Sequence, residues 1–228
     1  MSASRPCSSP PCMAAEVDPA YVGPLDADQD QARDVMRWRR AERARLTGLR
    51  EALGQNGRAS VSRAIADHLE AVLSARMPER GTTLSGYWPI KGEPDLRPLL
   101  TKLHRGGVII ALPVVVRRAA PLVFRRWTPE TKMMRGDWNI PVPPPDAGEL
   151  MPNVVLAPCL GWDAKCCRLG WGGGYFDRTL AALSPRPFTI GVALSAARLN
   201  TIYPQPHDIP LDLIATEDGM CADRKLLP

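Results

Sequence analysis

The chain has 228 residues, of which 45% are hydrophobic and 23% charged, enough apolar material to bury a core and too much for a disordered chain. No apolar run approaches the ~20 residues that span a bilayer. Residues 1–15 lack the apolar stretch of a signal peptide and are broken by Pro6, Pro10 and Pro11, so a cytoplasmic protein with no membrane partner is expected. The net charge of +5 is concentrated in residues 31–50, where seven arginines (33, 37, 39, 40, 43, 45, 50) face only Asp34 and Glu42.

Residues 1–29 read as a disordered tail rich in Pro, Ser and Ala, and residues 30–228 as a single α/β domain. In the first predicted helix Val35, Trp38, Leu46, Leu49 and Leu53 share one side, the arginines lie on the other, and Gly54 and Gly57 end it. The arginine face has three readings: a solvated surface, a surface turned toward phosphate, or a nucleic-acid contact. No DNA- or RNA-binding module accompanies it, so no nucleic-acid partner is expected. A second helix carries Val61, Ile65, Leu69, Val72 and Leu73 and stops at Pro78.

Residues 82–88 predict a strand. Asp95 is the N-cap of a helix carrying Leu96, Leu99, Leu100 and Leu103, with Pro98 in its first turn. Gly106 and Gly107 close that helix, and residues 108–112 form the next strand, a β–α–β unit with parallel pairing. A strand over 122–127 precedes a long loop, 128–151, with five prolines. A buried strand over 154–157, a glycine-rich loop, a helix over 175–183 and strands over 188–194 and 211–215 complete the pattern. This alternation points to a three-layer α/β/α sandwich with a mainly parallel sheet.

The chemistry concentrates in residues 168–178, Arg-Leu-Gly-Trp-Gly-Gly-Gly-Tyr-Phe-Asp-Arg. The segment follows a strand and opens a helix. Gly170, Gly172, Gly173 and Gly174 let the backbone approach a ligand, and their N–H groups with the helix N-terminus suit an anion. Arg168 and Arg178 add positive charge, and Asp177 is a candidate Mg2+ ligand beside bound phosphate. A Walker A loop is excluded because no Lys-Ser or Lys-Thr follows the glycines. A dinucleotide fingerprint fails because Tyr175 stands at its third glycine. The six cysteines show no CxxC spacing and read as reduced thiols. His68, His104 and His207 sit in unrelated contexts and read as structural or exposed.

Residues 156–163 (Leu-Ala-Pro-Cys-Leu-Gly-Trp-Asp) with 168–178 resemble the signature of the 5-formyltetrahydrofolate cyclo-ligase (methenyltetrahydrofolate synthetase) family. The basic helix at Arg33 and Arg37, residues 87–93 (Tyr-Trp-Pro-Ile-Lys-Gly-Glu), residues 138–141 (Trp-Asn-Ile-Pro) and residues 211–217 are similar to further family pieces in the same order. The resemblance implies ATP as co-substrate, Mg2+, and ring closure of 5-formyltetrahydrofolate to 5,10-methenyltetrahydrofolate through a phosphorylated formyl group. It places Glu93, Arg168 and Asp177 in catalysis, and Asp177 on the metal. Arg33, Arg37, Arg168, Gly170, Gly172, Gly173, Gly174 and Tyr175 would hold the nucleotide, and Tyr87, Glu93, Trp138 and Phe176 the folate. Phe176 stands where the family most often has a second tyrosine, and Arg33 where it usually has lysine. The alternative is a divergent paralogue that binds folate or nucleotide without closing the ring. The expected assembly is a monomer or weak homodimer.

Overall fold

The structure is a computed structural model that describes residues 24–76 and 81–224. It begins with two helices, α1 (Pro24–Ala52) and α2 (Gly54–Arg76). Most of the expected tail, residues 1–23, and the expected stop at Pro78 lie outside the described residues; α1 itself starts within the segment read as tail. The helices meet at Leu53, and Gly54 turns the chain with a left-handed φ of 60°. That single residue is sufficient, so Gly57 lies inside α2 instead of ending α1.

The central sheet contains seven strands. They are β1 (Thr83–Ser85), β2 (Ile109–Val114), β3 (Val123–Trp127), β6 (Val154–Pro158), β9 (Phe188–Val192), β11 (Leu213–Thr216) and β12 (Gly219–Asp223). Their spatial order is β12-β11-β9-β6-β1-β2-β3. The five inner strands are parallel, and β3 and β12 add antiparallel edges. A second sheet, β10-β7-β8, is built from β7 (Gly161–Asp163), β8 (Arg168–Leu169) and β10 (Arg198–Leu199). The proline-rich loop carries a two-stranded ribbon of its own, β4 (Met134–Arg135) with β5 (Pro141–Val142).

Side-chain alternation along β6 divides the core. Val154 and Leu156 face Ile65, Leu69 and Leu73 of α2 and Leu99 and Leu100 of α3 (Arg97–Arg105). Val155 and Ala157 point the other way, where Phe176 and Leu180 of α4 (Tyr175–Ala182) contribute to the packing. Helices therefore cover both faces, as expected of an α/β/α sandwich, and β2 and β6 are nearly continuous apolar runs because both sides are buried. Leu46 of α1 packs with Trp162 and Leu199 of the small sheet.

The expected β1–α3–β2 unit forms with parallel pairing, Leu84 opposite Ile110. β1 is shorter than predicted. Gly86 lies under Leu100 of α3, where an added Cβ would come within 2.4 Å of Leu100 Cδ1, and the chain then leaves the sheet. Asp95 acts one position earlier than an N-cap. Its Oδ1 accepts the Arg97 N–H at 3.0 Å while Leu96 occupies the cap position.

Candidate active site

The chain runs outward from β1 to β2 and later returns to place β6 on the other side of β1, so a crevice opens at the carboxyl ends of these strands. It holds a cleft of about 560 Å³, within the usual range for small-molecule sites. The cleft is lined by the segment after β1, by Pro113 and Pro158 at the ends of β2 and β6, by the glycine segment, and by Arg39 and Arg43 of α1.

One part of the lining is the glycine segment with the arginines around it. Gly172 and Gly174 have φ values of 101° and 64°, left-handed angles at which a side chain is strained. Gly174 occupies the N-cap of α4, whose first N–H groups lack intrahelical partners. Arg43 Nε donates to Gly170 O at 2.8 Å, and Arg178 donates to Gly173 O while lying 5.2 Å from the Tyr175 ring. Arg168 pairs with Asp177 at 2.8 Å and sits 5.1 Å over the Phe176 ring. The Nε atoms of Arg168 and Arg178 are buried without hydrogen-bond partners. Arg39 pairs with Asp208 at 2.5 Å. Burial alone would raise the Asp208 carboxyl, but the hydrogen bonds from Arg39 and the Gln205 N–H outweigh it and hold it below the usual range.

A second part of the lining centres on Glu93, only 6% exposed. Its Oε2 accepts the Ile90 N–H at 3.0 Å, and its Oε1 accepts Trp171 Nε1–H at 2.9 Å. Burial lifts the carboxyl above its ordinary value, against the pull of these two bonds and of the charges on Arg50 and Lys91. Arg50, 1% exposed, donates to Cys159 O at 2.8 Å. Burial is likewise what pushes the Cys159 thiol up to about 12, so it is an inert core thiol. Tyr87 is buried with its hydroxyl donating to Pro94 O at 2.8 Å, which leaves a ring surface for the cleft. Trp138 stands at the mouth, 63% exposed and edge-on to Tyr175 at 5.6 Å.

Tyr87, Glu93, Trp138, Arg168, Gly170, Gly172, Gly173, Gly174, Tyr175, Phe176 and Asp177 therefore come together around one cleft. Arg33 and Arg37 do not. They are 66% and 72% exposed and pair back along the helix with Asp30 and Asp34. Two residues of helix turn the side chain by about 200°, so Arg39 and Arg43 face the cleft and Arg37 faces away. Arg39 and Arg50 follow Val35 and Leu46 at steps of four, which puts arginines inside the buried stripe; that was the available signal. Lys91, His207 and Asp208, which also line the cleft, carried none. Among the described residues no three His, Cys, Asp or Glu side chains gather as a metal site. Both oxygens of Asp177 are engaged, by Arg168 and by the Ile209 N–H at 3.3 Å.

Residues 35–217 match the family model described as the 5-formyltetrahydrofolate cyclo-ligase family. A 5-formyltetrahydrofolate cyclo-ligase of Mycolicibacterium smegmatis is 33% identical over 182 residues, spanning 74% of this chain and 91% of that protein. One from Escherichia coli strain K12 is 29% identical over 140 residues, 59% of this chain and 77% of that protein. Among solved structures, the NMR structure of Aquifex aeolicus 5,10-methenyltetrahydrofolate synthetase superposes with a TM-score of 0.69 at 23% identity, covering 83% of this chain and 94% of that one. The 5,10-methenyltetrahydrofolate synthetase of Mycoplasma pneumoniae gives 0.64 at 23% identity, covering 78% and 98%. These two likenesses establish a shared fold.

Proposed function

Because the chain belongs to the 5-formyltetrahydrofolate cyclo-ligase family, and so is a ligase enzyme, we propose that it uses ATP to close 5-formyltetrahydrofolate to 5,10-methenyltetrahydrofolate in this cleft. The observation that carries the reading is that a glycine-rich helix start with its arginines and a buried acid line one cavity. An amide-type oxygen is a poor leaving group, so the reaction needs it phosphorylated. The formyl oxygen attacks the γ-phosphorus and ADP leaves. The lone pair of N10 then attacks the formyl carbon, its proton is lost, and the C–O bond breaks to release phosphate.

Phosphoryl transfer of this kind is governed by positioning and charge stabilisation. The amides of Gly170, Gly172, Gly173 and Gly174 and the start of α4 at Tyr175 suit the phosphates. Arg39 and Arg43 take the place foreseen for Arg33 and Arg37, and Arg168 supplies a further fixed charge. Elsewhere in the cleft, Glu93 would accept N–H donors of the pterin, with Tyr87, Trp138 and Phe176 offering ring surface. The acidic groups fit a metal carried in on the triphosphate better than one held by the protein alone. Mg2+ would supply charge neutralisation at the phosphate oxygens, and Asp177, beside the glycine loop, is the carboxylate that would meet it.

A direct test follows the absorbance of the methenyl product in purified protein with 5-formyltetrahydrofolate and Mg·ATP. The expected signal grows only when both substrates are present. A flat trace with folded protein would overturn the proposal.

A further inference from the structure

Gly170, Gly172, Gly173 and Gly174 have no side chains, so between Leu169 and Tyr175 the phosphate-facing loop has a single side-chain anchor, Trp171. That anchor reaches the segment after β1. Its Nε1–H donates to Glu93 Oε1 at 2.9 Å, and its ring lies 4.5 Å from Lys91 Nζ and 5.8 Å from Arg50 Cζ. Glu93 is fixed on its other oxygen by the Ile90 N–H. The loop that meets phosphate and the acid that meets the pterin are thus joined by one hydrogen bond and one rigid ring.

We propose that Trp171 is a positioning residue that couples the two halves of the cleft, so that nucleotide on the glycine loop strengthens folate binding at Glu93, and the reverse. This rests on the function proposed above. Three glycines flank the indole on its C-terminal side and one on its N-terminal side, so the loop orders about the ring as a pivot. A phosphate that fixes the loop also fixes the indole N–H on Glu93, and a pterin that fixes Glu93 holds the indole and with it the loop. Linkage makes the two effects equal. The charged and titratable groups around Glu93 are Arg50 from α1, Lys91 and Tyr87 from its own segment, and Cys159 from the end of β6. The indole donor favours the ionised carboxylate, so it partly offsets the burial that raises this acid.

The test compares the wild-type protein with Trp171→Phe, which keeps an aromatic face between the cations and removes the N–H. Calorimetry with a non-hydrolysable ATP analogue in magnesium buffer is run with and without 5-formyltetrahydrofolate. In the wild type each ligand should tighten the other roughly tenfold, the worth of one hydrogen bond to a charged group. Trp171→Phe should bring that factor close to one. The acidic limb of kcat/KM for the folate should also move to higher pH, because Glu93 loses a donor to its ionised form. Equal coupling in both proteins would overturn the proposal even if the limb moves, since a tryptophan that only holds Glu93 would shift the limb and leave the coupling unchanged. If the variant melts early, the wild type decides: a coupling factor of one overturns the proposal. Wild-type protein that binds both ligands cooperatively but makes no methenyl product would instead overturn the function proposed above.

Discussion

Arg37 and Arg43 belong to the same helix and carry the same charge, yet the cleft contains only one of them. Arg43 is half-buried and bonded to the carbonyl of Gly170, whereas Arg37 is exposed and paired with Asp34 at 3.5 Å. Arg43→Ala should raise the KM for ATP by about 10–100-fold, the worth of a charge-assisted hydrogen bond. Arg37→Ala should change it by no more than about twofold. Steady-state kinetics at saturating folate distinguishes the two, and equal losses would contradict the facing of α1. Glu93 makes a second prediction at this scale. Burial raises its carboxyl above the ordinary value, so protonation sets in at a higher pH than for an exposed glutamate. Folate kcat/KM should therefore fall, as pH is lowered, while exposed carboxylates are still ionised; a pH profile limited only by an ordinary carboxylate value would contradict this. Residue chemistry was readable where it was dense, at the glycines and their flanking charges. It was not readable at Asp208, which meets Arg39 from 169 positions away.

The legibility of the elements depended on their length. β2, β3, β6 and β9 are five or six residues long and, apart from the two arginines of β3, mostly apolar, and they stood out in the sequence. β7, β8 and β10 have two or three residues each, too few to display any period. They are held by side chains instead. Buried Asp163 accepts the N–H groups of Lys165, Cys167 and Ile202 at 2.9–3.1 Å, closing the β7–β8 turn and tying it to the segment after β10. Asp163→Ala would leave three backbone donors without acceptors. At about 1–3 kcal/mol each, the loss should be visible as a lowered denaturant midpoint. The glycine segment starts directly after β8, so turnover should fall with it. A variant with wild-type stability would remove Asp163 from this role. The proline-rich loop was expected without regular structure; it contains the β4–β5 ribbon because Met134 finds Val142 across a turn, a pairing that two residues cannot advertise.

The layered architecture follows from alternation of strands and helices, and that much is visible in the sequence. The sheet order was not, because the return of β6 to the far side of β1 is a choice about space that no local pattern encodes. It is also what creates the cleft. Tight packing behind the sheet supports it. A Cβ on Gly191 of β9 would come within 2.6–2.9 Å of Ile214, Leu211 and Cys159. Gly191→Ala should therefore cost about 1–3 kcal/mol through overpacking. Gly191 does not line the cleft, so kcat of the folded variant should stay near that of the wild type. A loss of kcat without a loss of stability would instead show that this region communicates with the site.

The Arg39–Asp208 pair also has a temporal meaning. The two residues are 169 positions apart, and α1 rests on strands that are synthesised late. At about 5–20 residues per second on the ribosome, the arginine helix waits roughly ten to thirty seconds for its counter-charge. Throughout that interval Arg39 lacks Asp208 and the helix carries an excess of positive charge, beside the polyanionic RNA of the machine that makes it. Final docking of α1, and with it the placement of Arg39 and Arg43 in the cleft, is therefore a late event of biosynthesis, and nascent chains that end before residue 208 should be cleaved by protease in α1 while the complete chain resists.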